Sequence, residues 1–346
     1  MVIFQIYNIF AEKIKQDQMR ILGIGNALVD VLIQLPDDKM LHELNVAKGS
    51  MNLIDAEMRT KIFEKIHSFP ISQTTGGSVS NTTIALRQLG ESVGFMGKAG
   101  NDVYGNFYLK EMTDLEIELH LIQENTFSGT AITLITPDGE RTFCTYLGAA
   151  AGMRKTDLNT SVFEQYTHLY IEGYLVQNYE LIETALAMAK SLNMKIILDL
   201  SSFNVVASDR EFIQNLTDRY VDILFANEEE VMALTKKTPA IAIHEIAEKV
   251  PMVVMKTGPN GSWVKQKDLF VHIPVYEKIK PVDTTAAGDY YAAGYFYGMI
   301  NRVSPEKCAK LGSLLSYHII QVIGTKLPEE TWMKIRKEAK QLIIDN

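Results

Sequence analysis

The chain carries the sequence Asp283-Thr-Thr-Ala-Ala-Gly-Asp-Tyr-Tyr-Ala-Ala-Gly294, which places an aspartate in a turn of small residues that opens an apolar helix. The first N–H groups of a helix lack backbone partners and the helix dipole makes this end positive, so the turn attracts anions. Ala286, Ala287 and Gly288 have no bulk that would keep a phosphate away. Asp289 then stands beside the anion, either as a base for phosphoryl transfer or as a helix cap.

The size and composition of the chain indicate a globular protein. Its 346 residues are 47% hydrophobic, which suits one large domain with an elaboration, or two domains. A net charge of -8 without a long basic run argues against nucleic acid as a partner. The two cysteines, Cys144 and Cys308, lie far apart, which excludes a disulfide framework and fits a cytoplasmic location.

The apolar run Met1–Phe10 does not read as a targeting segment. It is too short to span a bilayer, no basic residues precede it, and no small-residue cleavage site follows it. We therefore interpret residues 1–19 as an N-terminal extension and expect no membrane partner.

Short runs of β-branched and aliphatic residues alternate with longer segments of helical period. This alternation is typical of parallel strands joined by helices, and it predicts an α/β fold whose sheet is covered on both faces. The predicted strands are Arg20–Asn26, Ser92–Met96, His168–Glu172, Lys195–Asp199, Val221–Ala226 and Met252–Lys256. The predicted helices include Thr82–Leu89, Tyr179–Ser191 and Glu228–Leu234.

Two stretches, residues 31–54 and 129–147, interrupt this alternation of strands and helices. The second alternates apolar and polar residues around the turn Pro137-Asp-Gly139, which predicts a hairpin. We expect both stretches to form one small β-sheet, a lid inserted into an α/β domain made of residues 20–30, 55–128 and 148–346. Ligands are expected between this lid and the carboxyl ends of the strands.

Polar residues follow the first predicted strand, and a second polar cluster leads into the first long helix. Asn26 and Asp30 are predicted to hold vicinal hydroxyl groups of a sugar, the alternative being a turn asparagine and a solvated aspartate. Leu28 stands where a dinucleotide fingerprint has its third glycine, which argues against a nicotinamide site. In a second cluster, two glycines allow close backbone approach, and the polar side chains after them either cap the helix or bind a polar ligand. This cluster comprises Gly76, Gly77, Ser78 and Asn81.

Two further clusters follow late strands. Asn227-Glu-Glu-Glu230 is either an acidic first helical turn or a group that orders Mg²⁺ through water. The turn Thr257-Gly-Pro-Asn-Gly261 is either a second phosphate cradle or a hairpin turn. Asp102 is predicted to cap the helix that follows it. The sequence contains no Walker-type P-loop, HExxH, paired CxxC or G-x-S-x-G motif.

With these residues in this order, the chain from about Arg20 to Lys326 resembles the ribokinase/adenosine kinase family, the PfkB-type sugar and nucleoside kinases. Three elements carry the resemblance: Gly76-Gly77 with Asn81, Asn227-x-x-Glu230, and Asp283-Thr-Thr-Ala-Ala-Gly-Asp289. The resemblance implies a ribokinase-like three-layer α/β/α sandwich with a mostly parallel sheet and a β-sheet lid. It also implies Mg²⁺-dependent transfer of the ATP γ-phosphoryl group to a hydroxymethyl oxygen.

The resemblance further implies a role for each matching residue. Asp289 acts as the base, and the backbone of Ala286, Ala287 and Gly288 as the anion hole. Arg141, on a lid strand, neutralises phosphate charge, unless it is an ordinary surface arginine. The positions that match the acceptor site are Asn26, Asp30, Gly76, Gly77, Ser78 and Asn81. The positions that match the nucleotide and Mg²⁺ site are Asn227, Glu230, Thr257, Gly258 and Gly261, with Glu230 acting on the metal through water.

One departure from the family pattern is Ala286, which stands where the family has glycine. A positive φ at this position costs alanine about 1–2 kcal/mol, and misplacement of one anion-hole donor costs on the order of 10²-fold in rate. A non-catalytic nucleoside- or sugar-binding protein is therefore an alternative. Segments such as Gly25–Asp30 resemble adenosine kinases most, so adenosine is the leading acceptor and a free sugar such as ribose the runner-up. Phe143 and Tyr146 on the lid either stack on a purine or, as is commoner for aromatic residues on strands, serve in packing. The protein is expected to be a monomer or a homodimer.

Overall fold

The structure of the protein is a computed structural model that describes residues 18–345. The larger of its two sheets contains β1 (Ile21–Ile24), β5 (Val93–Gly100), β6 (Glu118–Glu124), β9 (His168–Glu172), β10 (Lys195–Asp199), β11 (Ile223–Asn227), β12 (Met252–Lys256), β13 (Ser262–Gln266) and β14 (Leu269–Ile273). The strand order is β14-β13-β12-β11-β10-β9-β1-β5-β6. Neighbours from β6 to β12 pair in parallel, whereas β13 and β14 are antiparallel.

Helices cover both faces of this sheet, and the first two helices of the described chain pack against the smaller sheet. The helices are α1 (Lys39–Leu44), α2 (Ala56–Ile66), α3 (Ser78–Gln88), α4 (Val103–Asp114), α5 (Thr160–Phe163), α6 (Tyr179–Ser191), α7 (Phe203–Ser208), α8 (Arg210–Tyr220), α9 (Glu228–Thr235), α10 (Pro239–Ala247), α11 (Ala287–Ile300), α12 (Pro305–Ile319) and α13 (Glu329–Ile344). Successive residues of β9 enter different cores. Tyr170 packs with α3, α11 and α12, whereas Leu169 and Ile171 pack with α6, α8 and α10.

The smaller sheet contains β2 (Leu28–Gln34), β3 (Met51–Leu53), β4 (Ile71–Gly76), β7 (Gly129–Ile135) and β8 (Arg141–Tyr146), in the order β3-β8-β7-β2-β4. Alternate residues of β2, namely Val29, Val31 and Ile33, are buried in one core with residues of α1 and α2. Leu28 and Asp30 occupy the other face, toward the carboxyl ends of the large sheet.

The α/β fold class is confirmed, and the predicted bounds of β9, β10, β12 and α6 match the structure. The predicted lid ranges were incomplete, because β2 begins at Leu28 and β4 joins the small sheet, although residues 55–128 had been assigned to the α/β domain. The sequence of β4, Ile-Ser-Gln-Thr-Thr-Gly, has little apolar content, so its pairing with β2 decides its structure. That the small sheet closes as a lid stays a prediction.

Several local predictions can also be compared with the structure. Helix α3 begins at Ser78, four residues before the predicted start at Thr82. Asp102 caps α4 as predicted, since its side chain accepts the N–H of Gly105 at 2.8 Å. The predicted extension lies outside the described residues except for its last two, Gln18 and Met19. None of the helices within residues 18–345 is long and apolar enough to cross a membrane.

Candidate active site

Two neighbouring cavities open at the carboxyl ends of the parallel strands. The larger, of about 690 Å³, lies beneath the small sheet, and the smaller, of about 640 Å³, lies on the other side of the start of α11. All of the predicted site residues except Gly76, Arg141 and Thr257 line one or both cavities. The residues common to the two linings are Lys256, Gly258, Thr284, Ala287 and Gly288. The beginning of α11 therefore lies between the two cavities.

The residue before α11 has a left-handed backbone. Ala286 has φ 60° and ψ 5°, so the position does require the conformation in which alanine costs about 1–2 kcal/mol. Asp283 holds the turn, because its carboxylate accepts N–H groups of Thr285 and Gly324 at 3.0 and 2.8 Å. Of the predicted anion-hole donors, the N–H of Ala287 already donates to the carbonyl oxygen of Thr284 at 3.2 Å.

Asp289 contacts α3 and does not cap its own helix. Its Oδ1 accepts the hydroxyl of Ser78 at 2.6 Å, and its Oδ2 accepts Nδ2 of Asn81 at 2.8 Å. The alternatives in which the side chains of Asp289, Ser78 and Asn81 cap helices are therefore wrong. Burial raises the pKa of Asp289 to about 6, against the lowering effect of these two hydrogen bonds. At neutral pH most of this carboxylate is ionised, as a general base requires.

The two consecutive glycines fit the close approach of β4 to the start of β2. Gly77 has φ 100°, and a Cβ there would lie 2.2 Å from the carbonyl oxygen of Asn26. A Cβ on Gly76 would lie 2.2 Å from Oδ1 of Asp30. Gly77 thus has no room for a side chain, and a side chain at Gly76 would displace the Asp30 carboxylate, so the glycine pair allows Asn26 and Asp30 to reach the cavity.

Asn26 and Asp30 both line the larger cavity. Asn26 is 6% exposed, and Asp30 is half-buried with its Oδ2 3.4 Å from the hydroxyl of Thr325. Burial, with a smaller contribution from the charge of Asp289, raises the pKa of Asp30 to about 7, against the lowering effect of the Thr325 hydroxyl. The alternative of a solvated aspartate is therefore wrong, whereas Asn26 does lie in the connection between β1 and β2, with its side chain buried.

The Asn227–Glu230 pair forms the acidic first helical turn that one alternative predicted, whereas its role in ordering Mg²⁺ stays a prediction. The Asn227 side chain accepts the N–H of Glu230 at 2.9 Å, and Glu230 accepts the N–H of Asn227 at 2.8 Å, which forms a capping box at the start of α9. Both residues also line the larger cavity, and Glu230 is 2% exposed. Burial raises the pKa of Glu230 to about 7, although Lys256 opposes this shift.

The segment from Thr257 to Gly261 is the turn of the β12–β13 hairpin, as one alternative predicted. Gly258 and Gly261 line the smaller cavity, whereas Thr257 lines neither cavity. The hydroxyl of Thr257 is buried and has no hydrogen-bond partner among the described residues. A role of this turn in nucleotide binding stays a prediction.

Arg141 forms an ion pair with Asp283, which links β8 of the small sheet to the turn before α11. The Arg141 side chain is only 18% exposed, so it is not an ordinary surface arginine. Its guanidinium does not line either cavity, and the predicted contact with phosphate stays a prediction.

Three charged residues at strand ends had not been predicted: Glu172, Asp199 and Lys256, the last residues of β9, β10 and β12. Glu172 is 1% exposed and accepts the N–H and Nδ2 of Asn26 at 2.9 and 2.6 Å. Nζ of Lys256 lies 3.0 Å from Oδ2 of Asp199. A charged residue that ends a buried apolar strand was the signal available in the sequence.

The aromatic residues at the larger cavity also differ from the prediction. Phe143 and Tyr146 do not line it, and the ring of Tyr146 lies 5.7 Å from the guanidinium of Arg59. Tyr174 lines the cavity instead and is 39% exposed.

Comparison with known proteins identifies relatives along most of the chain. The sequence profile described as pfkB family carbohydrate kinase matches residues 42–332. Adenosine kinase 2 of Arabidopsis thaliana is 24% identical over 336 residues, covering 90% of this chain and 96% of that protein. A 5-dehydro-2-deoxygluconokinase of Listeria monocytogenes is 25% identical over 287 residues, covering 79% of this chain and 87% of that protein. The crystal structure of adenosine kinase from Sinorhizobium meliloti superposes with a TM-score of 0.82 at 29% identity, covering 94% of this chain and 99% of that one.

Proposed function

Because this chain belongs to the pfkB family of carbohydrate kinases, phosphotransferases that act on an alcohol group, we propose that it phosphorylates the primary hydroxyl of a nucleoside. ATP is the donor and adenosine the leading acceptor. The observation that carries the proposal is the meeting of two cavities at the start of α11, with Asp289 on the wall of the larger one.

The larger cavity is the acceptor site in this proposal. Asn26 and Asp30 offer amide and carboxylate groups that hydrogen-bond the vicinal hydroxyls of a sugar. Asp289 takes the proton of the primary hydroxyl as that oxygen attacks phosphorus. Ser78 and Asn81 donate to both oxygens of Asp289, which fixes its orientation before the acceptor arrives.

The smaller cavity is the donor site. Its wall combines the glycines of the β12–β13 turn with the rings of Tyr276, Tyr291 and Tyr317, which suits a nucleotide base at one end and phosphates at the other. The phosphates lead toward Gly288, where first-turn N–H groups and the helix dipole offset negative charge. Because phosphoryl transfer depends on positioning and charge stabilisation, these backbone groups carry much of the chemistry.

Asn227 and Glu230 are the residues proposed to hold Mg²⁺. Within residues 18–345 no cluster of three His, Cys, Asp or Glu side chains is placed to ligate a metal directly. The buried Glu230 carboxylate at the cavity wall fits an ion that keeps most of its water shell. Bound there, Mg²⁺ would offset the negative charge of the phosphates.

Tyr174 favours a nucleoside over a free sugar. Its ring is 39% exposed and also lines a neighbouring cavity of about 430 Å³, together with Leu147, Met153 and Gln177. An aromatic face beside the sugar site gives a purine a stacking partner, which a free sugar does not need. A free sugar is the second candidate, because Asn26 and Asp30 bind hydroxyl groups of either acceptor.

The proposal is tested by Mg·ATP-dependent ADP release with adenosine, other nucleosides, ribose, other free sugars and fructose 6-phosphate in parallel. Turnover with adenosine and weaker turnover with ribose supports the nucleoside assignment. Preference for a free sugar overturns it in favour of the second candidate. Tyr174→Ala tests the stacking role directly, since it should raise KM for adenosine and leave KM for any free sugar unchanged.

A further inference from the structure

Lys256 lies at a position where an ammonium group is energetically unfavourable. It ends β12, whose preceding residues Met252–Met255 are all buried, and its side chain is only 17% exposed. Burying an ammonium group is unfavourable unless anions surround it. Its Nζ lies 3.0 Å from Oδ2 of Asp199, and the charges of Glu230 and Asp289 also act on it. These acidic groups keep the lysine protonated, although burial alone would lower its pKa.

The ammonium group also faces the first turn of α11. A Cβ built on Gly288 would lie 3.1 Å from Nζ of Lys256, so the ammonium group lies close to the backbone of this turn. The positive end of a helix and an ammonium group repel each other unless an anion is shared between them. Within residues 18–345, Lys256 is the one cationic side chain that lines both cavities, since Lys278 lines only the smaller one.

We propose that Lys256 is a catalytic residue that donates to the oxygens of the phosphoryl group as it passes from the smaller cavity to the larger one. In this step the bond between the transferred phosphorus and the oxygen of the leaving ADP breaks, and a bond to the acceptor oxygen forms. The acceptor proton goes to Asp289, and Lys256 keeps its protons throughout. Asp199 is a positioning residue that holds the ammonium group in place. The inference rests on the proposed assignment of the two cavities.

A purely structural role makes a different prediction, because Lys256 then only neutralises Asp199. The test compares Lys256→Met, Asp199→Asn and the double variant with wild type, and Lys265→Met on the adjacent strand β13 serves as the matched control. Lys256→Met should lower kcat at least about a hundredfold and lower Tm, since it leaves a buried carboxylate unpaired. The double variant should recover Tm and not kcat. Lys265→Met should match wild type in both.

A second readout needs no acceptor. Dissociation constants for ATP and ADP are measured by titration calorimetry, and Lys256→Met and the double variant should lose at least about tenfold in affinity for ATP and much less for ADP. The proposal is overturned if the double variant has the turnover of wild type or the same preference for ATP over ADP as wild type. If the acceptor assignment is wrong, wild type and all variants fail alike with adenosine, whereas the difference in ATP affinity persists.

Discussion

Replacing Ala286 with glycine tests the conformation on which the start of α11 depends. With φ at 60°, alanine carries a strain of about 1–2 kcal/mol that glycine lacks. Glycine also loses a half-buried methyl group and gains conformational freedom in the unfolded chain, which together cost about 1 kcal/mol or more. The net change in the free energy of unfolding for Ala286→Gly should therefore be close to zero.

The neighbouring substitution Ala287→Gly is the matched control. Ala287 is also half-buried but has helical backbone, so glycine there brings the same losses without relief of strain. The difference between the two variants thus isolates the strain at Ala286, about 1–2 kcal/mol in favour of Ala286→Gly. Equilibrium unfolding in urea should show it as a difference in midpoint on the order of 0.2–0.5 M, because the slope of unfolding increases with chain length.

Equal midpoints for the two glycine variants would refute the left-handed conformation at Ala286. Turnover measured on the same preparations gives a second check. Because alanine already adopts the required φ, relief of strain should not move the backbone donors. The kcat of Ala286→Gly should stay near that of wild type, without the roughly hundredfold gain expected if alanine displaced an anion-hole donor.

Three further outcomes are expected. Asp289→Asn should leave acceptor binding intact by calorimetry and lower kcat at least about a hundredfold, and near-normal turnover would contradict its role as the base. Because burial raises the pKa of Asp289 to about 6 and the base acts when ionised, kcat/KM should rise with pH through about 6 and then level off. If kcat/KM instead rose with pH in the usual pKa range of an aspartate, the buried environment of Asp289 would be contradicted. Gly77→Ala, whose Cβ meets the Asn26 carbonyl oxygen at 2.2 Å, should destabilise the protein by at least about 2 kcal/mol and raise KM for the acceptor. Gly90→Ala has a similar φ of 95° with no atom within 4 Å, so it should cost only about 1–2 kcal/mol and leave KM unchanged.

The sequence by itself determined those features that depend on neighbouring residues. The bounds of β9, β10, β12 and α6 follow from runs of apolar residues and helical period, which a chain carries locally. The glycine pair at Gly76 and Gly77 was also readable, because few other residues tolerate such backbone and such close approach.

Only the tertiary structure decided which polar groups meet. Ser78 and Asp289 are 211 residues apart, yet their side chains share a hydrogen bond because α3 and α11 pack together. Lys256 and Asp199 pair because β12 and β10 end at the same edge of the sheet, on either side of β11. Patterns along a chain report which face of an element is apolar, whereas the contacts of one charged side chain depend on the packing of distant elements. The pairing of Arg141 with Asp283 was not predicted for the same reason.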